Sequence, residues 1–338
     1  MLILYSITAI FIAWIWVDYY RLIDIYEPEK LKNFIIIFFL GGASVFLVYL
    51  INNLFFDPFH WQLNGNLLND FFFCTIKIGM VEEFTKLVPF FIFFFFFKKE
   101  VNEPIDYVAY ICVSALGFSA AENIMYFNNY GPQIISGRAI LSSVGHMTFA
   151  AFTAYGIIRY KYKETKLGVF EVFLFFCLGS AAHGLYDFWL MYEETSSYGV
   201  LLTALFFLES ISLFAIIMNN ALNNSEFFTY KKIIDVDQVS RRLLSYYIVV
   251  FLLQFIFISI DSGLKNALIS IGFYWFFIAF LVFVATKRLS RFKLIKERWF
   301  PLKLQMPFSY SKVYSYDDKN TSRPVSYTHL TLPTKRIV

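Results

Sequence analysis

Long apolar runs alternate with short polar connections along most of this chain. About 20 apolar helical residues cross the ~30 Å hydrocarbon layer of a bilayer. Nine runs meet that length with some tolerance: 1–17, 33–56, 67–97, 104–127, 138–158, 168–190, 199–218, 243–260 and 266–286. The first has no basic n-region and no small-residue cleavage site before Asp18, so it reads as a span or signal anchor rather than a cleaved signal peptide. The last two are separated only by Asp261-Ser262-Gly263-Leu264-Lys265, which reads as a tight turn. The pattern predicts an all-α, polytopic helical membrane protein of about nine transmembrane helices.

Composition agrees. Of 338 residues, 58% are hydrophobic and 16% charged, against about 45–50% and about 25% in soluble domains. The three cysteines, Cys74, Cys112 and Cys177, lie inside apolar runs, which argues against a disulfide framework or a cysteine metal site. Basic residues fall in alternate connections. One set carries Arg21, Lys30 and Lys32, then Lys98 and Lys99, then Arg159, Lys161, Lys163 and Lys166, then Lys231, Lys232, Arg241 and Arg242, and finally the tail from Lys287. The connections 57–66, 128–137 and 191–198 have no lysine or arginine, and 261–265 has one. This bias places the N-terminus outside and the C-terminus in the cytoplasm. From Phe308 the chain is polar and reads as disordered. Residues 325–334 look like translated sequencing adapter, so they and His329 are excluded from the reading.

The third run holds Val81-Glu82-Glu83-Phe84-Thr85-Lys86-Leu87, with charges where a spanning helix should have none. Each charge at the middle of a span costs about 2.5–3.5 kcal/mol, so such residues are rare and usually functional. On an α-helix Lys86 projects about 40° from Glu82 and about 60° from Glu83, between the two acids. Gly79 shares this face, whereas Phe84 and Lys77 point away. A salt bridge that only settles the helix would need one acid; the second adds cost without structural return.

Three further runs carry ionisable residues among small ones. The fourth has Phe118, Ser119, Glu122 and Asn123; the fifth has Ser142, Ser143, Gly145 and His146; the sixth has Gly179, Ser180, His183 and Asp187. His183 and Asp187, four apart, share a face, so the carboxylate can orient the imidazole. Taken singly, each has a bland account as hydrogen-bonding glue between helices. Four consecutive spans with such residues must converge, because unpaired they would cost several kcal/mol. At ~1.5 Å per residue Glu122 lies ~27 Å from the inner end of its helix, His146 ~12 Å from the outer end, and His183 and Asp187 ~22 and ~28 Å from the inner end. The cluster is therefore expected in the outer half of the bilayer. Glu209, in the seventh run, is taken as structural or cavity-lining.

Glu82-Glu83-Phe84-Thr85-Lys86 as E-E-x-x-K, Phe118 to Asn123 as F-x-x-x-E-N, and His183 to Asp187 as H-x-x-x-D occur in order on successive runs. This resembles the PrsW family of intramembrane proteases, and is distantly similar to the CAAX prenyl endopeptidases and bacteriocin-processing membrane proteases. The resemblance covers 67–190 and implies an endopeptidase, commonly metal-dependent, whose substrate is a membrane protein or peptide such as an anti-sigma factor, cut on the outer side. It frames 1–66 as two N-terminal helices, 67–190 as a catalytic four-helix core, 191–290 as accessory helices and 291–338 as a cytoplasmic tail. In the expected mechanism Glu82 or Glu83 is the base, with the other restrained by Lys86. Glu122, His146 and His183 would hold a divalent metal, Zn2+ first, and Asp187 would orient His183. A metal-free version gives Glu83 and Glu122 the water and His183 and Asp187 the oxyanion. Rivals from other classes are a proton- or ion-coupled transporter and a non-catalytic scaffold; against the transporter, the halves show no inverted repeat. The lipid bilayer is an expected partner and nucleic acid is not.

Overall fold

The computed structural model describes residues 1–304 except 164 and 196, and beyond them only the antiparallel pairing of Tyr314–Ser315 with Val325–Ser326. The expectations for the tail from Phe308 and for 325–334 fall otherwise on residues outside this description. Without water to satisfy backbone N–H and C=O groups, a segment in hydrocarbon must bond to itself, and apolar runs therefore become helices.

The helices are α1 (Leu2–Ile23), α2 (Leu31–Ala43), α3 (Val45–Phe55), α4 (Leu67–Phe72), α5 (Val81–Phe97) and α6 (Pro104–Tyr130). They continue as α7 (Ser143–Tyr162), α8 (Val169–Met191), α9 (Gly199–Asn223), α10 (Val236–Ser262), α11 (Leu264–Ser270) and α12 (Phe273–Leu289). Local chemistry sets their ends. Asn66 accepts from the backbone N–H groups of Leu68 and Asn69 to open α4. Glu103 and Asp106 form a reciprocal capping box at α6, with Pro104 at its first position. Gly131, at φ +79°, closes α6 in a conformation that suits residues without a Cβ.

This is an integral membrane protein. Among the described residues seven helices are long and apolar enough to cross a bilayer, or eight if α11 and α12, bent by 52°, form one span. The hydropathy pattern predicts nine. The run 67–97 is helical throughout but is not among the seven, because Lys77, Glu82, Glu83 and Lys86 interrupt it. The run 266–286 is the bent pair rather than a straight helix.

Helix α6 is the axis of the bundle. Every residue from Pro104 to Ala120 is buried, and α7 is buried from Ser143 to Gly156. The α2 backbone lies directly on α6: a Cβ on Gly117 would meet the Phe38 carbonyl oxygen at 2.0 Å. Small residues allow this contact where the hydrophobic effect between helices is absent. In α5, Phe90 and Phe93 pack inward, whereas Phe91, Phe95 and Phe96 face outward, toward lipid. The start of α6 and the end of α7 share one end of the bundle, where Tyr162 Oη donates to the Asn102 carbonyl at 3.1 Å.

Candidate active site

Two wide turns precede the charged residues. Phe73–Met80 is π-helical and runs into Val81-Glu82-Glu83; Arg138–Ser142 is π-helical and runs into α7, which carries His146. Such turns are rare and recur at functional sites. The expectation of one continuous α-helix over 67–97 therefore holds its phase only from Val81 onward. Residues before that point are rotated relative to an ideal 3.6-residue helix, and Gly79 faces α8. There a Cβ on Gly79 would sit 2.4 Å from the Ser180 carbonyl oxygen, and one on Gly184 would sit 2.3 Å from Thr75 Cα. This close docking of α8 onto the π-helical segment carries His183 to Glu83.

Lys86 is fully buried and sits at the centre. Its Nζ lies 2.8 Å from Glu83 Oε1, 3.3 Å from Glu82 Oε2 and 2.7 Å from His146 Nδ1. The Phe118 ring covers it at 4.7 Å. His183 Nδ1 lies 2.9 Å from Glu83 Oε1, and its Nε2 lies 3.6 Å from Glu82 Oε2 and 3.4 Å from Asp187 Oδ2. The Phe149 ring stacks on His183 at 5.2 Å. His146 Nε2 lies 2.9 Å from Glu122 Oε2.

These partners assign the tautomers. Lys86 donates to His146 Nδ1, so neutral His146 carries its proton on Nε2 and donates to Glu122. His183 donates from Nδ1 to Glu83, which leaves the Nε2 lone pair turned toward Glu82 and Asp187.

All seven residues singled out from sequence, Glu82, Glu83, Lys86, Glu122, His146, His183 and Asp187, are thus linked in one cluster. The metal set reads differently at one position. The donor atoms that gather within 4.8 Å of one another are those of Glu82, His146 and His183. Glu122 pairs instead with His146 and with Arg138, whose Nη2 is 3.2 Å from its Oε2. Sequence reasoning places Arg138 only at the outer start of the fifth run. Its one signal is that it is the lone basic residue at that end. Its Nε donates to Asn123 Oδ1 at 2.5 Å, and Tyr126 lies under its guanidinium at 3.7 Å. Lys77 stands apart from the cluster, 3.1 Å from Asp57 Oδ1.

The residues fit a divalent cation. Four carboxylates, on Glu82, Glu83, Glu122 and Asp187, face two fixed cations, Lys86 and Arg138. Two negative charges remain, which one divalent ion would balance. Glu82 Oε2 is buried with only its ion pair to Lys86 and no well-formed hydrogen bond, and two imidazoles with one carboxylate are a donor set of the catalytic zinc type. Access divides the acids. The Glu83 side chain is 1% exposed, whereas Glu82, Glu122 and Asp187 are 11%, 15% and 21% exposed.

Comparison with known proteins gives a consistent result. The sequence profile described as PrsW family intramembrane metalloprotease matches residues 29–216. Protease PrsW of Clostridioides difficile (strain 630) is 30% identical over 200 residues, covering 57% of this chain and 80% of that protein. Protease PrsW of Geobacillus kaustophilus (strain HTA426) is 28% identical over 184 residues, 54% of this chain and 77% of that protein. Protease PrsW of Bacillus subtilis (strain 168) is 26% identical over 171 residues, 51% and 75% respectively. No solved structure matches.

Proposed function

The chain belongs to the PrsW family of intramembrane proteases, and we propose that it is a metal-assisted endopeptidase acting on membrane-tethered proteins or peptides near the outer face. The observation that carries the mechanism is the convergence of Glu82, His146 and His183 from three helices onto one point within the bundle. These three residues would hold the ion, His146 on giving up either its Lys86 bond at Nδ1 or its proton at Nε2, with zinc favoured by their nitrogen and oxygen donors. When bound, a divalent ion supplies Lewis-acid polarisation of a water and of the scissile carbonyl.

The chain's own residues do the rest. Glu122 reaches the accessible side and accepts the proton of the attacking water at its carboxylate. Arg138, beside it, offers N–H donors to the developing oxyanion. Glu83 is sealed between Lys86 and His183; it fixes the His183 tautomer and leaves Nε2 free. Lys86 neutralises the acid pair and orients His146. Asp187 lies beside the same Nε2 of His183 and adds its negative charge at the ion-binding edge. Glu82 thereby takes the ion-binding place expected of Glu122, and Glu122 the base role expected of Glu82 or Glu83, because Glu82 stands with both histidines and Glu122 with His146 and the arginine.

The basic connections support a cytoplasmic position for the end carrying Lys98 and Lys161, and with it an outer-half position for the cluster. A membrane-anchored regulator such as an anti-sigma factor is the kind of substrate this reading implies. The transporter reading is not favoured, since the relatives are proteases.

The test compares N-terminal peptide profiles of host membranes holding wild type or Glu122→Gln at equal expression. New termini within or just outside transmembrane segments, present only with wild type, are expected. Identical profiles under envelope stress and normal growth would sink the protease mechanism assigned here. Stoichiometric metal in purified protein, lost in His183→Ala, is expected alongside, and full activity in chelator would exclude the metal.

A further inference from the structure

A second group of acids lies at the other end of α6, away from the site above. Sixteen residues separate Asp106 from Glu122, about 24 Å along the helix. Glu27 and Glu29, in the connection between α1 and α2, and Asp106, in the first turn of α6, bring carboxylate oxygens within 4.8 Å of one another. Asp24 and Glu103 adjoin them, and repulsion among Glu103, Glu27 and Glu29 is felt at each of these groups.

The hydrogen bonding has a consistent division. Asp106 Oδ2 accepts from the backbone N–H groups of Asn102 and Glu103, both at 2.8 Å, while its Oδ1 has no donor. Asp24 Oδ2 accepts from the Glu29 N–H at 2.9 Å, while its Oδ1 has none. Glu103 Oε2 accepts from Ser225 Oγ, while its Oε1 has none. Glu29 Oε2 accepts from Tyr110 Oη and Asn33 Nδ2, and Glu27 Oε2 accepts from Asn102 Nδ2. One oxygen of each acid is thus tethered by a neutral donor. On three of them, Asp24, Glu103 and Asp106, the second oxygen is buried without a partner; those side chains are 3%, 0% and 0% exposed.

No lysine, arginine or histidine pairs with any of the five acids among the described residues. Lys30, the cation closest in sequence, is taken by Glu100 at 2.8 Å. Buried carboxylate oxygens with neither donor nor counter-charge cost several kcal/mol unless something satisfies them. Burial first, and repulsion from the neighbouring acids, push the Asp24 carboxyl up to about 8 and the Glu103 carboxyl up to about 7.

We propose that Glu27, Glu29 and Asp106 bind a hard divalent cation, Ca2+ or Mg2+, with the buried carboxylates of Asp24 and Glu103 beside the pocket. The donors are all oxygen, the set such ions take, without the nitrogen or sulfur that would select zinc or copper. The ion clamps the α1–α2 connection onto the start of α6, the helix that carries Glu122 to the other site. Its chemistry differs from that of the histidine-bearing cluster, and the two are separable.

The test titrates the full-length protein in detergent with Tb3+, a luminescent probe of Ca2+ sites. Tyr110, bonded to Glu29, lies close enough to sensitise its emission. Saturable emission displaced by Ca2+ or Mg2+ is expected. Glu27→Gln and Glu29→Gln should each weaken it by about tenfold or more, and His183→Ala should leave it intact. Absence of saturable emission, equal emission in Glu27→Gln and wild type, or loss in His183→Ala would each overturn the proposal. Glu27, at the rim of the pocket, is the deciding variant if Glu29→Gln fails to fold; a melt without added ion that matches wild type confirms its fold.

Discussion

The ammonium of Lys86 stands 2.7 Å from Nδ1 of His146, which follows it by 60 residues in the chain. That contact makes Lys86 more than the counter-ion of its own helix. It holds His146 with its proton on Nε2 while compensating Glu82 and Glu83, so one buried cation organises residues from α5 and α7.

Removal of that cation should therefore be worse than removal of the whole pair. Lys86→Met leaves Glu83 buried beside Glu82 with no positive charge, a loss of about 3–5 kcal/mol. The double variant Glu83→Gln/Lys86→Met should recover part of this. Thermal melts of detergent-solubilised protein measure both; equal melting temperatures for the single and double variants would show that the pair is not coupled.

Asp187 touches the free edge of His183 at 3.4 Å. Asp187→Asn should keep the fold and weaken metal retention by about 10–100-fold. Competition with a chelator of known affinity reads this directly. Unchanged retention would remove Asp187 from the ion's surroundings.

Arg138 bonds both Glu122 and Asn123. Arg138→Gln should lower turnover by about 10²–10³ while leaving substrate affinity nearly constant, as expected for a donor to an oxyanion. Arg138→Lys should restore part of the rate. A change confined to KM would make Arg138 a substrate-binding residue instead.

The docking of α8 on the π-helical segment depends on Gly184. Its Cβ position lies 2.3 Å from Thr75 Cα, a backbone atom that cannot move aside. Gly184→Ala should destabilise the protein by about 1–3 kcal/mol and abolish cleavage, since His183 is the neighbouring residue. Gly42→Ala is the control, because its Cβ would meet the Gly117 carbonyl oxygen at an ordinary 3.4 Å. Similar melting and activity in the two variants would remove the packing argument.

Much of the cluster is legible in the amino-acid sequence, for a local reason. Helix geometry depends on near neighbours, so Glu82, Glu83 and Lys86 share a face wherever α5 is regular, and His183 and Asp187 share one on α8. The helical class follows as directly, since a bilayer leaves apolar runs no other way to satisfy their backbone. Spacing says nothing about which faces meet. The approach of α8 through Gly79 and Gly184, the two π-helical turns and the bend between α11 and α12 arise from contacts between distant segments. Those contacts bring Glu82 rather than Glu122 to the two histidines and draw Arg138 into the cluster. They also gather Glu27, Glu29 and Asp106 at the opposite end. Residue types and helix faces are set by the chain's own periodicity; the identity of each residue's partner is set by packing between helices, where backbone-to-backbone distance decides which side chains touch.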